Sequence, residues 1–160
     1  MKIAYAILLL CLIVIFIQDL KYRRIHIALP IVIFILSCFL ILSKIKILST
    51  ILISNISFFL ITLSILTAYM SFKAKKFLNP FQHYFGLGDL LFYVAISPLF
   101  LLKNYILFFI LSLLFAIFLQ TALKRFMKEE TVPLAGFSAL FLLIVLLKDH
   151  FMFLQKITFL

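Results

Sequence analysis

Two aspartates stand out for what surrounds them. Asp89 lies in Phe85-Gly86-Leu87-Gly88-Asp89-Leu90, at the mouth of an apolar run, and this stretch holds two of the three glycines in the chain. Asp19 stands just past the first apolar run. Glycine permits backbone conformations and close approaches that a Cβ forbids. A chain that otherwise avoids it is expected to use Gly86 and Gly88 to let a substrate strand lie beside Asp89. Two carboxylates within about 3 Å of each other cannot both ionise easily and share one proton. Such a pair can cleave an amide: one carboxylate takes a proton from the attacking water, and its protonated partner donates to the carbonyl oxygen. That chemistry calls for no metal, cofactor or nucleophilic side chain. Each residue alone also has a plainer reading, Asp89 as a helix N-cap and Asp19 as a solvated charge beside Lys21 or Arg23.

The surroundings that must position this pair are overwhelmingly apolar. The 160 residues are 67% hydrophobic, too little polar surface for a soluble domain, so the expected fold is all-α, a single polytopic membrane bundle over residues 1–160. Crossing about 30 Å of hydrocarbon takes roughly 17–25 helical residues, which allows about six short-looped spans. An ionisable group inside such a span costs about 2.5–3.5 kcal/mol and is read by default as functional. The net charge of +10 comes from basic clusters between apolar runs, which act as topology signals. No nucleic-acid binding is expected from them. Cys11 and Cys38 sit inside apolar runs without metal-ligand spacing, so neither a zinc site nor a disulfide is argued from them.

In chain order, the expected spans are 3–18, 27–42, 47–70, 89–102, 105–123 and 132–147. Pro30 falls in the first turn of the second, where a missing N–H costs little. The third carries Ser54, Asn55, Ser57, Thr62, Ser64 and Thr67, a composition that suits a helix packed inside the bundle. Asn79-Pro80 breaks the chain before the glycine motif, and Pro98 is expected to kink the fourth span. Ser43 to Lys46 and Lys103-Asn104 are expected as tight outer turns. Lys21, Arg23, Arg24, Lys73, Lys75, Lys76, Lys124, Arg125 and Lys128 fall in three loops on one side, nine of the fifteen basic residues. The positive-inside rule makes that side cytoplasmic and puts Asp19 and Asp89 at the same face. The first run, which no small-x-small cleavage site follows, is expected to be a retained helix rather than a signal peptide. His26, His83 and His150 are read as interfacial residues without a catalytic role, and the phenylalanines as packing or lipid-facing groups.

Three segments then resemble the type IV prepilin peptidase family, the bacterial GxGD aspartyl peptidases of the inner membrane. They are Asp19-Leu20-Lys21-Tyr22-Arg23-Arg24-Ile25, Gly86-Leu87-Gly88-Asp89, and Val132-Pro133-Leu134-Ala135-Gly136-Phe137, which is similar to the hydrophobic-proline stretch opening the family's last span. The resemblance implies that Asp19 and Asp89 are the catalytic pair. It also implies a prepilin- or pseudopilin-like membrane protein as substrate, cut after a basic leader at the cytoplasmic face. The chain departs from the family pattern at His26 and Ile27, where Pro-Asn is usual, and at Leu91, where a lysine is usual. Larger members carry a cytoplasmic insertion with paired CxxC motifs and also methylate the new N-terminus. This chain resembles the short peptidase-only branch, for which cleavage without methyl transfer is expected. The alternatives are a degenerate relative that binds pilin-like helices without cutting them, a small transporter whose acids relay protons, for which neither internal repeats nor a polar path is visible, and a presenilin-like GxGD protease, which expects Tyr where Gln18 stands before the first aspartate.

Overall fold

In the computed structural model, which describes residues 2–41, 45–75, 86–123, 132–151 and 158, the apolar runs form six α-helices and one 3-10 turn. They are α1 (Lys2–Tyr22), α2 (Ala28–Ile41), α3 (Ile45–Ala74), α4 (Leu87–Ile96), the turn Ser97–Leu99, α5 (Leu102–Leu123) and α6 (Leu134–Phe151). No strand occurs among the described residues. Three stretches, Ile3–Tyr22, Leu48–Lys73 and Leu102–Leu123, are long and apolar enough to cross a membrane, and Ala28–Ile41 and Leu87–Leu99 are shorter apolar helices. The chain is an all-α membrane bundle. Asn79-Pro80, His83 and the basic loop around Lys124 lie outside the described residues.

The centre of the bundle is the pairing of α1 with α6. On α1, Leu8, Leu12, Ile15 and Asp19 are buried, a spacing that places all four on one helical face. The stripe that faces the core therefore ends in an acid. On α6, Ala135, Gly136 and Ala139 are buried near the start of the helix. Small side chains let two helix backbones approach closely, the usual route to association where lipid removes the hydrophobic drive between helices. The pair is antiparallel: Tyr5 donates to the Leu146 carbonyl at 2.8 Å near one end, and Asp19 meets Gly136 at the other. α2 packs on α1 and α4, and α5 packs on α6.

The main departures of the structure from the sequence-based spans concern α1, α4 and the turn that follows α4. α1 runs on to Tyr22, so Asp19 lies in its last turn rather than beyond it. α4 has only 10 residues, about 15 Å of rise and half a membrane's thickness. Pro98 does not kink this helix but ends it in the 3-10 turn, after which Phe100 is extended. The reversal thus falls at Phe100 and Leu101, and Lys103 and Asn104 already belong to α5. The expected outer turn at Ser43 lies outside the described residues, and Ile45 is already helical.

Backbone broken at membrane depth must find its hydrogen bonds inside the protein. Asn55, buried on α3, supplies them by donating to the carbonyls of Ser97 and Phe100, both at 2.8 Å. The rest of the expected polar stripe on α3 does something different. Ser54, Thr62, Ser64 and Thr67 donate to carbonyls one turn back on their own helix. Beyond Phe59 this helix is mostly exposed, with Leu60, Ile61, Ile65, Tyr69 and Phe72 open to the surroundings. α3 is therefore fixed by its first half and is not an inner helix along its length. An aromatic cluster fills the space this first half shares with α4 and α5, where Phe59, Tyr93 and Phe109 meet at 5.0–6.0 Å between ring centres.

Candidate active site

Three helix ends converge around the two aspartates: the last turn of α1, the first turn of α4 and the first turn of α6. The N-terminus of α6 organises them. A helix leaves its first N–H groups without intrahelical acceptors, and a local Ser, Thr, Asp or Asn commonly accepts from them. Val132-Pro133-Leu134-Ala135-Gly136 offers no such side chain. Leu134 N–H turns back to the Val132 carbonyl at 2.9 Å, and the first regular bond is from Phe137 N–H to the Pro133 carbonyl at 3.0 Å. The two donors between them are taken from far away in sequence. Ala135 N–H donates to Asp89 Oδ1 at 2.7 Å, and Gly136 N–H donates to Asp19 Oδ2 at 2.6 Å. Two carboxylates on successive amides of one helical turn stand side by side, within electrostatic reach of each other.

Asp89 is held a second time. Its Oδ2 accepts from the N–H of Gly86, the residue preceding α4, at 3.1 Å. That is the backward-reaching half of a capping box, with Asp89 at the third helical position rather than at the N-cap itself. The plainer reading of Asp89 as a helix-capping residue is thus partly right, and the same side chain also reaches α6. Asp19 is buried, not solvated, and Arg23 lies near enough to act on it electrostatically. Arg23 also closes α1. It adopts the left-handed conformation, φ 52°, and its N–H bonds to the Asp19 carbonyl at 3.1 Å, a common way to satisfy a helix end.

The glycines act through space, not backbone freedom, since none has positive φ. A Cβ on Gly136 would stand 2.9 Å from Asp19 Cβ and 3.0 Å from its Oδ2. A Cβ on Gly86 would stand 3.0 Å from Asp89 Oδ2. At Gly88 the missing Cβ makes room for Ile25, whose Cδ1 would be 3.2 Å away. Gly86 remains exposed beside Asp89.

In the short connection after α1, Gln18 Oε1 accepts from His26 N–H at 3.3 Å, and His26 Nδ1 accepts from Ala28 N–H at 3.4 Å. The imidazole thus caps the start of α2, at a position where the sequence departs from its expected Pro-Asn. Among the described residues no group of three or more His, Cys, Asp or Glu side chains is placed to hold a metal.

Sequence reasoning named Asp19, Asp89, Gly86 and Gly88, and the structure brings these four into one region. It did not name the amides of Ala135 and Gly136 as the groups that join them. The available signal was the third glycine directly after an uncapped helix start.

An all-helical membrane bundle with paired carboxylates on a helix N-terminus defines the class: a polytopic membrane protein with two acids held together at one end of its bundle. The sequence comparison narrows this to a family. Residues 6–121 match the type IV leader peptidase family, and the chain belongs to that family. The match makes it a leader-peptidase-type protease at family level, acting on prepilin-like substrates in a membrane. Both aspartates fall inside the matched segment, whereas Ala135 and Gly136 lie beyond it. No curated protein and no solved structure matches the chain.

Proposed function

We propose that this protein is an intramembrane aspartyl endopeptidase in which Asp19 and Asp89 are the catalytic dyad. It removes the leader peptide of prepilin- or pseudopilin-like precursors. The observation that carries the reading is the pair of adjacent amides, Ala135 and Gly136, holding one carboxylate each. One carboxylate accepts a proton from water as the water oxygen bonds to the scissile carbonyl carbon. The other, protonated, gives its proton to the carbonyl oxygen. Collapse of the tetrahedral intermediate breaks the C–N bond as the first carboxylate passes its proton to the departing amine and the second takes back a proton from a hydroxyl of the intermediate, which restores the starting state of the pair. The N–H groups and the positive end of α6 favour negative charge where the dyad needs it. Because the two titrations are coupled, the working proton belongs to the pair and not to either residue.

The remaining features of the proposal follow from topology. Arg23, Arg24 and Lys73 lie near the same ends of their helices as the dyad, which supports an active site at the cytoplasmic face of a bacterial inner membrane. The connection between α1 and α2 is too short for a folded cytoplasmic insertion, which supports cleavage without N-methylation.

The test is coexpression with prepilin-like proteins of the same genome, following leader removal by gel shift for wild type, Asp19→Asn and Asp89→Asn. Cleavage by wild type that is lost in both variants, with melting behaviour retained, is the expected result. Cleavage that survives either substitution refutes the dyad. A pilin-binding relative that does not cut predicts no leader removal by any variant, with precursor still copurifying.

A further inference from the structure

One turn beyond Asp89, Tyr93 is fully buried, and its hydroxyl sits between two serines on different helices. It is 2.8 Å from Ser112 Oγ on α5 and 2.9 Å from Ser138 Oγ on α6. The direction of these bonds follows from proton counting, because each hydroxyl carries one hydrogen. Ser112 spends its hydrogen on the Phe109 carbonyl at 2.9 Å. It must therefore accept from Tyr93, and Tyr93 in turn accepts from Ser138. The Tyr93 carbonyl is held as well, by the Tyr105 hydroxyl at 3.0 Å.

The two ends of this chain lie where the dyad needs them. Tyr93 follows Asp89 by one helical turn on the same face. Ser138 follows Ala135 and Gly136, whose amides hold the two carboxylates. We propose that Tyr93 is a positioning residue for the dyad: the Tyr93–Ser138 bond fixes α4 against α6 and so sets the alignment of Asp89 with its donor on α6. The proposal rests on the dyad reading above. The Tyr93–Ser112 bond serves a different purpose, since α5 carries neither aspartate nor the amides that hold them.

Proton counting makes the two bonds separable. Tyr93→Phe and Ser138→Ala both remove the α4–α6 bond, whereas Ser112→Ala leaves it intact and removes the α4–α5 bond together with the bond from Ser112 to the Phe109 carbonyl. All three delete buried hydroxyl bonds and are expected to lower the melting temperature similarly. Misplacing a reacting group by a fraction of an ångström to about 1 Å costs up to about a hundredfold in rate. Tyr93→Phe and Ser138→Ala are therefore expected to lower kcat roughly ten- to a hundredfold with KM within about threefold, and to change the shape of the kcat–pH profile. Ser112→Ala is expected to keep kcat within about threefold and the profile unchanged. Full kcat with an unchanged profile in Tyr93→Phe overturns the proposal, as does a kcat loss in Ser112→Ala equal to that in Ser138→Ala. If Asp19→Asn and Asp89→Asn abolish cleavage in the same assay while Tyr93→Phe does not slow it, the dyad stands and the positioning role falls. If the aspartate variants still cleave, the dyad reading itself is what has failed.

Discussion

Gly136→Ala isolates the contact on which the site geometry depends, because it adds one methyl group and removes no donor. The new Cβ would lie 2.9 Å from Asp19 Cβ and 3.0 Å from Asp19 Oδ2. Carbon–carbon contacts at optimal separation are about 3.5–4.0 Å, so Asp19 or the start of α6 must retreat by roughly half an ångström or more. The bond from Gly136 N–H to Asp19 Oδ2 is 2.6 Å long, and the same retreat stretches it toward the limit of useful geometry. Losing a hydrogen bond to a charged group costs about 1.5–3 kcal/mol, which corresponds to roughly ten- to a hundredfold in rate if the contact matters at the transition state. Overpacking of a buried position adds about 1–3 kcal/mol to the loss of stability.

The comparison with the other glycines makes the reasoning refutable. A Cβ on Gly88 meets Ile25 Cδ1 at 3.2 Å, the far end of a side chain that can rotate away. A Cβ on Gly86 meets Asp89 Oδ2 at 3.0 Å, on a carboxylate with a second anchor at Ala135. The expected order of damage is Gly136→Ala, then Gly86→Ala, then Gly88→Ala, with the last within about threefold of wild type. The assay is the initial rate of leader removal by purified protein in detergent or proteoliposomes, with melting followed by circular dichroism. A Gly136→Ala protein with wild-type rate and melting temperature refutes the reasoning, and so does a Gly88→Ala protein damaged more than Gly136→Ala.

The remaining predictions address the dyad's protonation and the polar contacts that hold the bundle. The proposed dyad works with one protonated and one ionised carboxyl, so the kcat–pH profile should be bell-shaped and fall on both sides of the optimum; a flat profile across the range where carboxylates titrate would refute a shared proton. Asn55→Ala strips the Ser97 and Phe100 carbonyls of their donor, and at about 0.6–1.7 kcal/mol per membrane-buried bond the loss should be about 1–3 kcal/mol, read as a lower melting temperature. Tyr5→Phe removes one bond to Leu146 at the far end of α1; it should cost about 1 kcal/mol or less and leave the cleavage rate unchanged. Lys75 ends α3 with φ 51°, a conformation costing non-glycine residues about 1–2 kcal/mol, so Lys75→Gly should melt no lower than wild type.

How far the sequence could be read depended on which physical signal was available. Apolar runs long enough to cross a membrane are visible in composition, so the all-α bundle was legible. The inner face of each helix was not. In α1, Leu8, Leu12 and Ile15 are buried while Ile7, Leu10, Ile13 and Val14 are exposed, and no polarity separates the two sets. A helix that is apolar all round gives no periodic signal of its orientation. Asp19 stood out by its charge, yet in sequence it read equally as a solvated group, and only the structure turns it inward onto the Gly136 amide. The half-length α4 was hidden for another reason: Leu99, Phe100 and Leu101 read as continuing span, and Asn55, far off in sequence, supplies bonds to the carbonyls where the backbone reverses. Likewise Thr62, Ser64 and Thr67 looked like interhelical contacts, yet a hydroxyl can be satisfied by its own helix.

The location of the aspartates follows from where free backbone donors exist in a membrane. Inside a helix every N–H is committed to a carbonyl four residues back, so a buried carboxylate in mid-span has no amide to accept from. Unclaimed N–H groups occur only in first turns. A dyad held by the backbone must therefore be brought to a helix N-terminus, and two carboxylates need two donors close enough together to hold them as neighbours. Successive amides of one turn meet that condition, and α6 presents them because its own sequence supplies no cap. Asp89 reaches them from the first turn of α4, and Asp19 from the last turn of α1, which α6 can approach so closely only because position 136 is glycine. The uncapped start of α6 and the two acids are thus parts of one arrangement. Supplying α6 with a cap of its own, by Pro133→Asp, would place a third carboxylate in competition for the same donors. Loss of cleavage in that variant, with the helix still formed, is the outcome this account requires, and an unimpaired rate would show that the donors of α6 are not what holds the pair.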